Sequence, residues 1–526
     1  MRKLTYSIVL ALFFVATFSV ACDPREPIWQ RPLATVGPLS VEGRLVFLNR
    51  TTGQVIALSP ETGVLAHAVG ERPRTMVAMP GGVGVIAGTG DAPLFDRIDL
   101  ADGARDRVEL PAPYDRIWVS PSGAHALLTF DPNAPQAPGA VPARNNNEVG
   151  VVELATGQVE QLLLQTESLA PREVVFSDDG ALAAVLLDSA VALIDLVAEP
   201  AEIVTVPLRL GDGSLLGPRK GLFAPDGGHL YLRVDGSPDV LTLEIARGAG
   251  ALGASVNFLF VPDAVALVDI ARVEGWGDHV AALFWRTEGA TLALLEASGD
   301  TSRGLEVQLS ERAGKILDLG GGHLLACQAP VGRAGSSSRY VAAWSLETGR
   351  LDEDALLGTY LGEPRLGAGR VFFSHGPVAV DGQSADGAIT VLRVEEDELR
   401  LRVRLSPVVL GGAGTLAAAP LPDGSLLTGV QAPRADSGAP PDLDGARGGE
   451  VAFLLPVSAE GQPGEGMVLD ERVEQVGVTG DFAWALHPGE VGDVTLVPLA
   501  DLQRNAARRY RAFLFTGLTG AEELAR

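Results

Sequence analysis

Four histidines, His125, His229, His279 and His323, each follow a glycine-containing turn and precede an apolar run. Imidazole binds metals readily, and a ring of repeats would place four such side chains on one circle. A shared ion, however, needs its donors within about 2 Å of it, and equivalent positions in separate repeats stand well apart. These histidines therefore read as exposed strand-start residues. Asp442-Leu443-Asp444-Gly445 with Glu450 carries part of a calcium loop but lacks the third carboxylate position and the full spacing. Gly248-Ala249-Gly250-Ala251-Leu252-Gly253 fits G-x-G-x-x-G, yet the segment after it, Ser255–Val261, reads as strand. Without a helix N-terminus there is nothing to hold a phosphate. Cys327 ends the apolar run His323-Leu324-Leu325-Ala326-Cys327 and reads as a small buried hydrophobe, not a nucleophile. No G-x-S-x-G, H-E-x-x-H or C-x-x-C occurs. No catalytic, cofactor-binding or metal-binding residue is assigned, and no cofactor is expected.

The elements around these residues follow one plan, clearest from Val174 to Leu196. Val174–Phe176 is a short apolar run and Ser177-Asp178-Asp179-Gly180 a turn; Ala181–Leu187 and Ala190–Leu196 are further runs separated by Asp188 and Ser189. Asp and Ser bond their own backbone in turns, and Gly supplies positive φ. Each run is too short for a typical helix and is bounded by turn residues, so strands are predicted. The unit recurs from about Pro32 to Phe515. Its first turn falls at Gly43, Gly81-Gly82, Pro121-Ser122-Gly123, Asp179-Gly180, Asp226-Gly227, Gly275-Trp276-Gly277, Gly320-Gly321-Gly322, Gly367-Ala368-Gly369, Asp423-Gly424 and Gly480-Asp481. Ten pivots roughly 40 to 57 residues apart suit four-stranded units. Ala500–Arg509 after the last pivot reads as a short helix.

Phe-Ser-Asp-Asp-Gly (176–180), Val-Ser-Pro-Ser-Gly (119–123) and Phe-Ala-Pro-Asp-Gly (223–227) resemble the turn of propeller repeats of the YVTN and WD40-like kind. Ala-Leu-Ile-Asp-Leu (192–196) and the Thr-Gly turns resemble their next strand and turn. No Trp-Asp dipeptide occurs, and the Gly-His pairs at 228–229 and 322–323 start the second strand, unlike true WD40 repeats. The resemblance implies an all-β fold, a β-propeller of about 8–10 four-stranded blades. A single ring protects its sheet edges by closure and is favoured over two smaller rings or stacked sandwiches. The propeller domain is taken as 32–526.

The 526 residues carry a formal charge of −25 and a pI near 4.7. That balance opposes nucleic acid and anionic lipid, both of which need basic patches. At the N-terminus Arg2 and Lys3 precede the apolar run Leu4–Phe18, then Ser19-Val20-Ala21, then Cys22. The series has the layout of a signal peptide over 1–21 and resembles a bacterial lipoprotein signal. The resemblance implies a lipidated Cys22, a tether over 22–31 and a membrane-anchored place in the cell envelope. Ser-x-Ala also suits ordinary signal peptidase, which leaves the secreted or periplasmic soluble alternative. The apolar run is shorter than the ~20 residues of a membrane span.

Long insertions are confined to the connection between the second and third strands: Asp131–Glu148, Ala329–Arg339, Ser374–Gly387 and Ala432–Gly449. They are rich in Gly, Pro, Ala, Ser or Asn and carry Arg333, Arg339, Asp436, Asp442 and Asp444. A ring turns one shared connection into one shared face. The reading is a non-catalytic propeller scaffold that binds envelope proteins or a ligand on that face and meets the membrane only through its lipid. The alternative is a metal-dependent hydrolase or lactonase with its site in the central channel. The innermost strands read as mainly apolar (Met76-Val77-Ala78, Val174-Val175-Phe176, Ile316-Leu317), which weighs against catalysis.

Overall fold

In the computed structural model, residues 34–515 are described, apart from short internal stretches of which 132–144, 329–338 and 432–451 are the longest. Ten four-stranded antiparallel sheets follow one another along the chain, spanning 35–68, 75–109, 116–163, 173–207, 217–259, 266–309, 315–355, 365–409, 413–469 and 475–511. These are blades 1 to 10. Each is a simple meander, and the eighth adds a small hairpin, Val378–Val380 with Gln383–Ala385, between its second and third strands. That hairpin lies inside 374–387, which the sequence presents only as loop.

The apolar runs are strands because both faces of each sheet are covered, and such strands read as continuous rather than alternating apolar sequence. Blade 4 shows the division. Leu182, Ala184 and Leu186 of its second strand pack toward blade 5, while Ala183 and Val185 pack toward blade 3. This is the two-residue period of a strand serving two neighbours. The described residues form ten buried clusters, one at each junction between neighbouring blades. The tenth joins Leu45, Phe47, Ile56 and Leu58 of blade 1 to Trp484, Val494, Leu496 and Phe513 of blade 10. Ten junctions for ten blades mean one closed ring, at the upper end of the 8–10 expected.

The ring closes without exchanging a strand. Blades 1 and 10 are each built from contiguous chain and meet through side chains. Asn49 Nδ2 donates to Leu514 O at 2.8 Å, Thr479 Oγ1 to Arg44 O at 2.9 Å, and Tyr510 OH to Ser59 O at 3.0 Å. First strands line the centre: Thr35–Val41 lies beside both Thr75–Ala78 and Gln475–Thr479. The meander leaves two distinct rims. At the entry rim the first and third strands begin and the second and fourth end. The turn rim carries the tight turns after the first strands.

The predicted helix at 500–509 is not found at its C-terminal end. Arg508–Arg511 is the outermost strand of blade 10, paired with Asp493–Pro498 and followed by one 3-10 turn, Phe513–Phe515. Helix-forming residues are overridden here by the open edge of a three-stranded sheet.

The tight turns are as predicted. Gly180 has φ +70°, and a Cβ there would stand 2.5 Å from Ser122 Oγ in the preceding blade. Gly180→Val therefore combines backbone strain with an inter-blade clash. A loss of roughly 2 kcal/mol is expected, read as a lower denaturation midpoint; an unchanged midpoint would contradict this role for the turn.

Candidate functional site

The innermost strands are more charged than their apolar runs suggest. They carry Arg116, Glu173, Arg219, Lys220, Asp269, Arg272, Lys315, Asp318 and Arg365. This corrects the apolar wall expected of the channel. Most of these charges are engaged. At the entry rim of blades 3, 4 and 5, an arginine near the start of the first strand meets an aspartate at the end of the second. Arg116 Nη2 lies 3.0 Å from Asp131, Arg172 Nη2 lies 2.6 Å from Asp188, and Arg219 pairs with Asp235. The partners stand fifteen or sixteen residues apart in sequence, a recurring signal that a motif-by-motif reading passes over.

Other pairs bridge blades. Arg74 Nη1 reaches Asp115 Oδ1 at 2.6 Å, from blade 2 toward blade 3. Asp269 is the densest node. Its carboxylate lies 2.8 Å from Lys220 Nζ of blade 5 and accepts from Ile270 N at 3.0 Å in its own blade. It also accepts from Ile316 N of blade 7, at 3.0 Å. It stands at a register shift in Ala266–Arg272, and Lys220 follows another in Gly217–Phe223. An extra residue re-aims a side chain out of the regular pleat, which lets one carboxylate serve three blades. Glu173 of blade 4 is pushed above the usual carboxylate range by burial, against the opposing pull of Lys220.

Two hollows open toward the turn rim. One, of about 370 Å³, is lined by Pro225, Arg272, Val273, Glu274, Gly275, Gly277 and Asp318. Arg272 is held by Asp178 of blade 4 through two bonds of 2.5 Å, and Asp318 accepts from Glu274 N at 2.7 Å and Gly320 N at 2.9 Å. The other, of about 270 Å³, lies at blade 2 between Met79, Gly84 and the Arg97–Asp106 pair. Neither lining contains a histidine, cysteine or serine. Among the described residues no group of three or more His, Cys, Asp or Glu is placed to hold a metal ion.

The four histidines each open the second strand of their blade, as foreseen, and stay apart, but they are half-buried rather than exposed, because a second strand is covered by the blades on both sides. His279 Nδ1 meets Trp276 O at 2.7 Å, and His323 Nε2 meets Glu396 Oε2 at 2.8 Å across blades 7 and 8. The Nδ1 atoms of His125 and His229 are buried without a partner. Of Gly248–Gly253, Gly248 ends the strand Val240–Gly248 and Ala251–Gly253 begin its partner Ala251–Leu259, so strand, not helix, follows. Cys327 is buried 3.7 Å from Tyr360 OH, and burial pushes its thiol up to about 12, too high for a nucleophile at neutral pH. Arg339 Nη1 donates to Leu357 O at 2.9 Å. Cys22, Arg333, Asp436, Asp442, Asp444 and Glu450 lie outside the described residues.

Burial lowers the pKa of His125, against a smaller opposing pull from Glu153, and lowers that of His67. Both are thus held neutral in the fold. Below about pH 6.5 the unfolded chain takes up protons that the folded one resists, so their stabilisation is complete above that pH. It is lost as pH falls through the depressed values. The melting temperature is expected to drop between pH 7 and pH 5, and to drop less in His125→Gln. Equal slopes would remove His125 from the account.

No family model matches this chain, and no curated protein does. Solved structures are similar at the level of fold. The Swd1 β-propeller domain of Myceliophteria thermophila is 15% identical, over 62% of this chain and 99% of that one, with a TM-score of 0.30. Dihydro-heme d1 dehydrogenase NirN is 15% identical over 76% and 77%, with a TM-score of 0.39. Virginiamycin B lyase of Staphylococcus aureus is 13% identical over 56% and 95%, with a TM-score of 0.29. The chain is a ten-bladed β-propeller, a fold that hosts enzymes and non-enzymes alike.

Proposed function

We propose that this chain is a cell-envelope lipoprotein, anchored through Cys22, whose ring is a non-catalytic scaffold for a protein or ligand partner. The observation that supports this most is positional. All four long insertions interrupt the step from second to third strand, in blades 3, 7, 8 and 9, so all four leave from the entry rim. Three of those blades are consecutive. Loops on a rigid frame are where binding residues concentrate, whereas catalysis needs atoms fixed within about 0.5 Å.

The test shortens the loops within 131–148 and 432–449 to tight turns, keeping Asp131 and Glu148, which are held by Arg116 and Tyr114. Loop length costs little in stability, so the melting temperature should stay within a few degrees while recovery of partners from membrane extracts falls. Undiminished recovery by both variants would sink the scaffold reading. Mass spectrometry of the mature N-terminus tests the anchor separately: Cys22 should carry lipid, and Cys22→Ser should release the chain from membranes.

A further inference from the structure

We infer that the entry rim of blades 4 to 6 rests on a neutral lipid surface, with Leu215, Phe258, Phe260 and Val265 entering the headgroup region. This rests on the anchoring reading above. The four side chains are 58%, 39%, 57% and 61% exposed. Leu215 lies in the connection from blade 4 to blade 5, and the other three lie at the end of blade 5 and on the way to blade 6. Connections of that kind all fall on the entry rim, so neighbouring blades present these residues on one side of the ring. Phe258 and Phe260 are the only exposed phenylalanines among residues whose side chains are described. Exposed Val197, Leu305 and Leu399 on the turn rim belong to three different blades, the scattered pattern of an ordinary surface.

Covalent connection selects the occupant. The first strand of blade 1 begins at Thr35, opposite Asn49, at the entry rim. On the anchoring reading, the chain from Cys22 therefore enters the ring at that rim. The thirteen residues from Cys22 to Thr35 reach at most about 45 Å, which on that reading ties the ring to the bilayer by the rim that carries the four side chains. Charge selects the lipid. A chain of net charge −25 is repelled by anionic headgroups, but the nearby cations of blades 4 and 5 are neutralised in place by Arg172–Asp188 and Arg219–Asp235. The same two connections expose Asp212 and Asp263 against one further cation, Arg209, so this part of the rim does not favour anionic headgroups, and its aromatic and aliphatic side chains suit a zwitterionic interface. The long-loop rim then faces the membrane too, so a partner captured there would itself be membrane-borne.

The experiment takes the full chain as isolated from the membranes of its producing cell and mixes it with phosphatidylcholine vesicles. Co-flotation is measured together with peptide-resolved hydrogen exchange. Exchange over 257–266 and 210–216 should slow by roughly fivefold on vesicles, with the turn-rim segments around Val197 and Leu399 unchanged. Phe258→Ser with Phe260→Ser should still float but lose the slowing, at an unaltered melting temperature. Flotation without slowing at this rim overturns the docking and leaves the anchor standing. Absence of flotation overturns both. Slowing that appears without vesicles as protein concentration rises means that a second copy covers the patch, and overturns the lipid assignment.

Discussion

Gly477→Val should lower stability by about 3–4 kcal/mol, just beyond the ordinary range for overpacking. Gly477 pairs across the sheet with Trp484. A Cβ at 477 would stand 2.2 Å from Cζ2 and 2.4 Å from Cε2 of that ring. The indole has little room to move, because it is part of the buried cluster with Leu45 and Phe47 at the closing junction of the ring. The substitution therefore strains blade 10 and opens the seam with blade 1. Denaturation should begin at a lower denaturant concentration, and hydrogen exchange should rise first in the strands of blades 1 and 10. Trp484→Leu in the same chain should recover part of the loss, since it removes both the clash and an indole N–H buried without a partner. If Gly477→Val leaves the midpoint where it was, the indole does not lie over Gly477.

Asp269→Ala should cost about 3 kcal/mol. The side chain is 11% exposed, and its removal strands the N–H groups of Ile270 and Ile316, both in buried residues. Leaving a buried donor unmet costs about 1–3 kcal/mol each, and Lys220, itself more than a third exposed, adds little because water replaces its partner. Asp269→Asn keeps one acceptor oxygen and should fall roughly midway. A double-mutant cycle with Lys220→Met separates the ion pair from the backbone bonds. A loss below about 1 kcal/mol in Asp269→Ala would show that blades 5, 6 and 7 do not depend on this node.

The blade plan was legible because it is local. Turn chemistry at Gly180, Gly227 and Gly424 requires particular residues, and a strand covered on both faces needs an unbroken apolar run. All ten pivots named from the sequence are first turns of blades. The charged wall was not legible, because its partners lie fifteen or more residues apart within a blade, or in different blades. Nothing near Asp269 in sequence announces Lys220 or Ile316. Arg508 and Arg509 depart from the helix expected over 500–509 for the opposite reason: local propensity favours helix, but pairing with Asp493–Pro498 outweighs it. The histidines were correctly kept apart by the geometry of repeats, although the pairing of His323 with Glu396 needed a neighbouring blade to be seen.

Because the ring shuts without a shared strand, its two ends finish side by side. Asn49 pairs with Thr35 in the sheet and also bonds Leu514 O, so the beginning and the end of the circle are neighbours of one residue. Such a chain is a candidate for circular permutation. A short linker could join the two ends, and new ends could be cut at any fourth-to-first connection, such as 211–214, with every blade left whole. A module inserted at the same point would stand on the entry rim beside the long loops. Which blade comes first in the chain is therefore a property of the gene rather than a requirement of the circle.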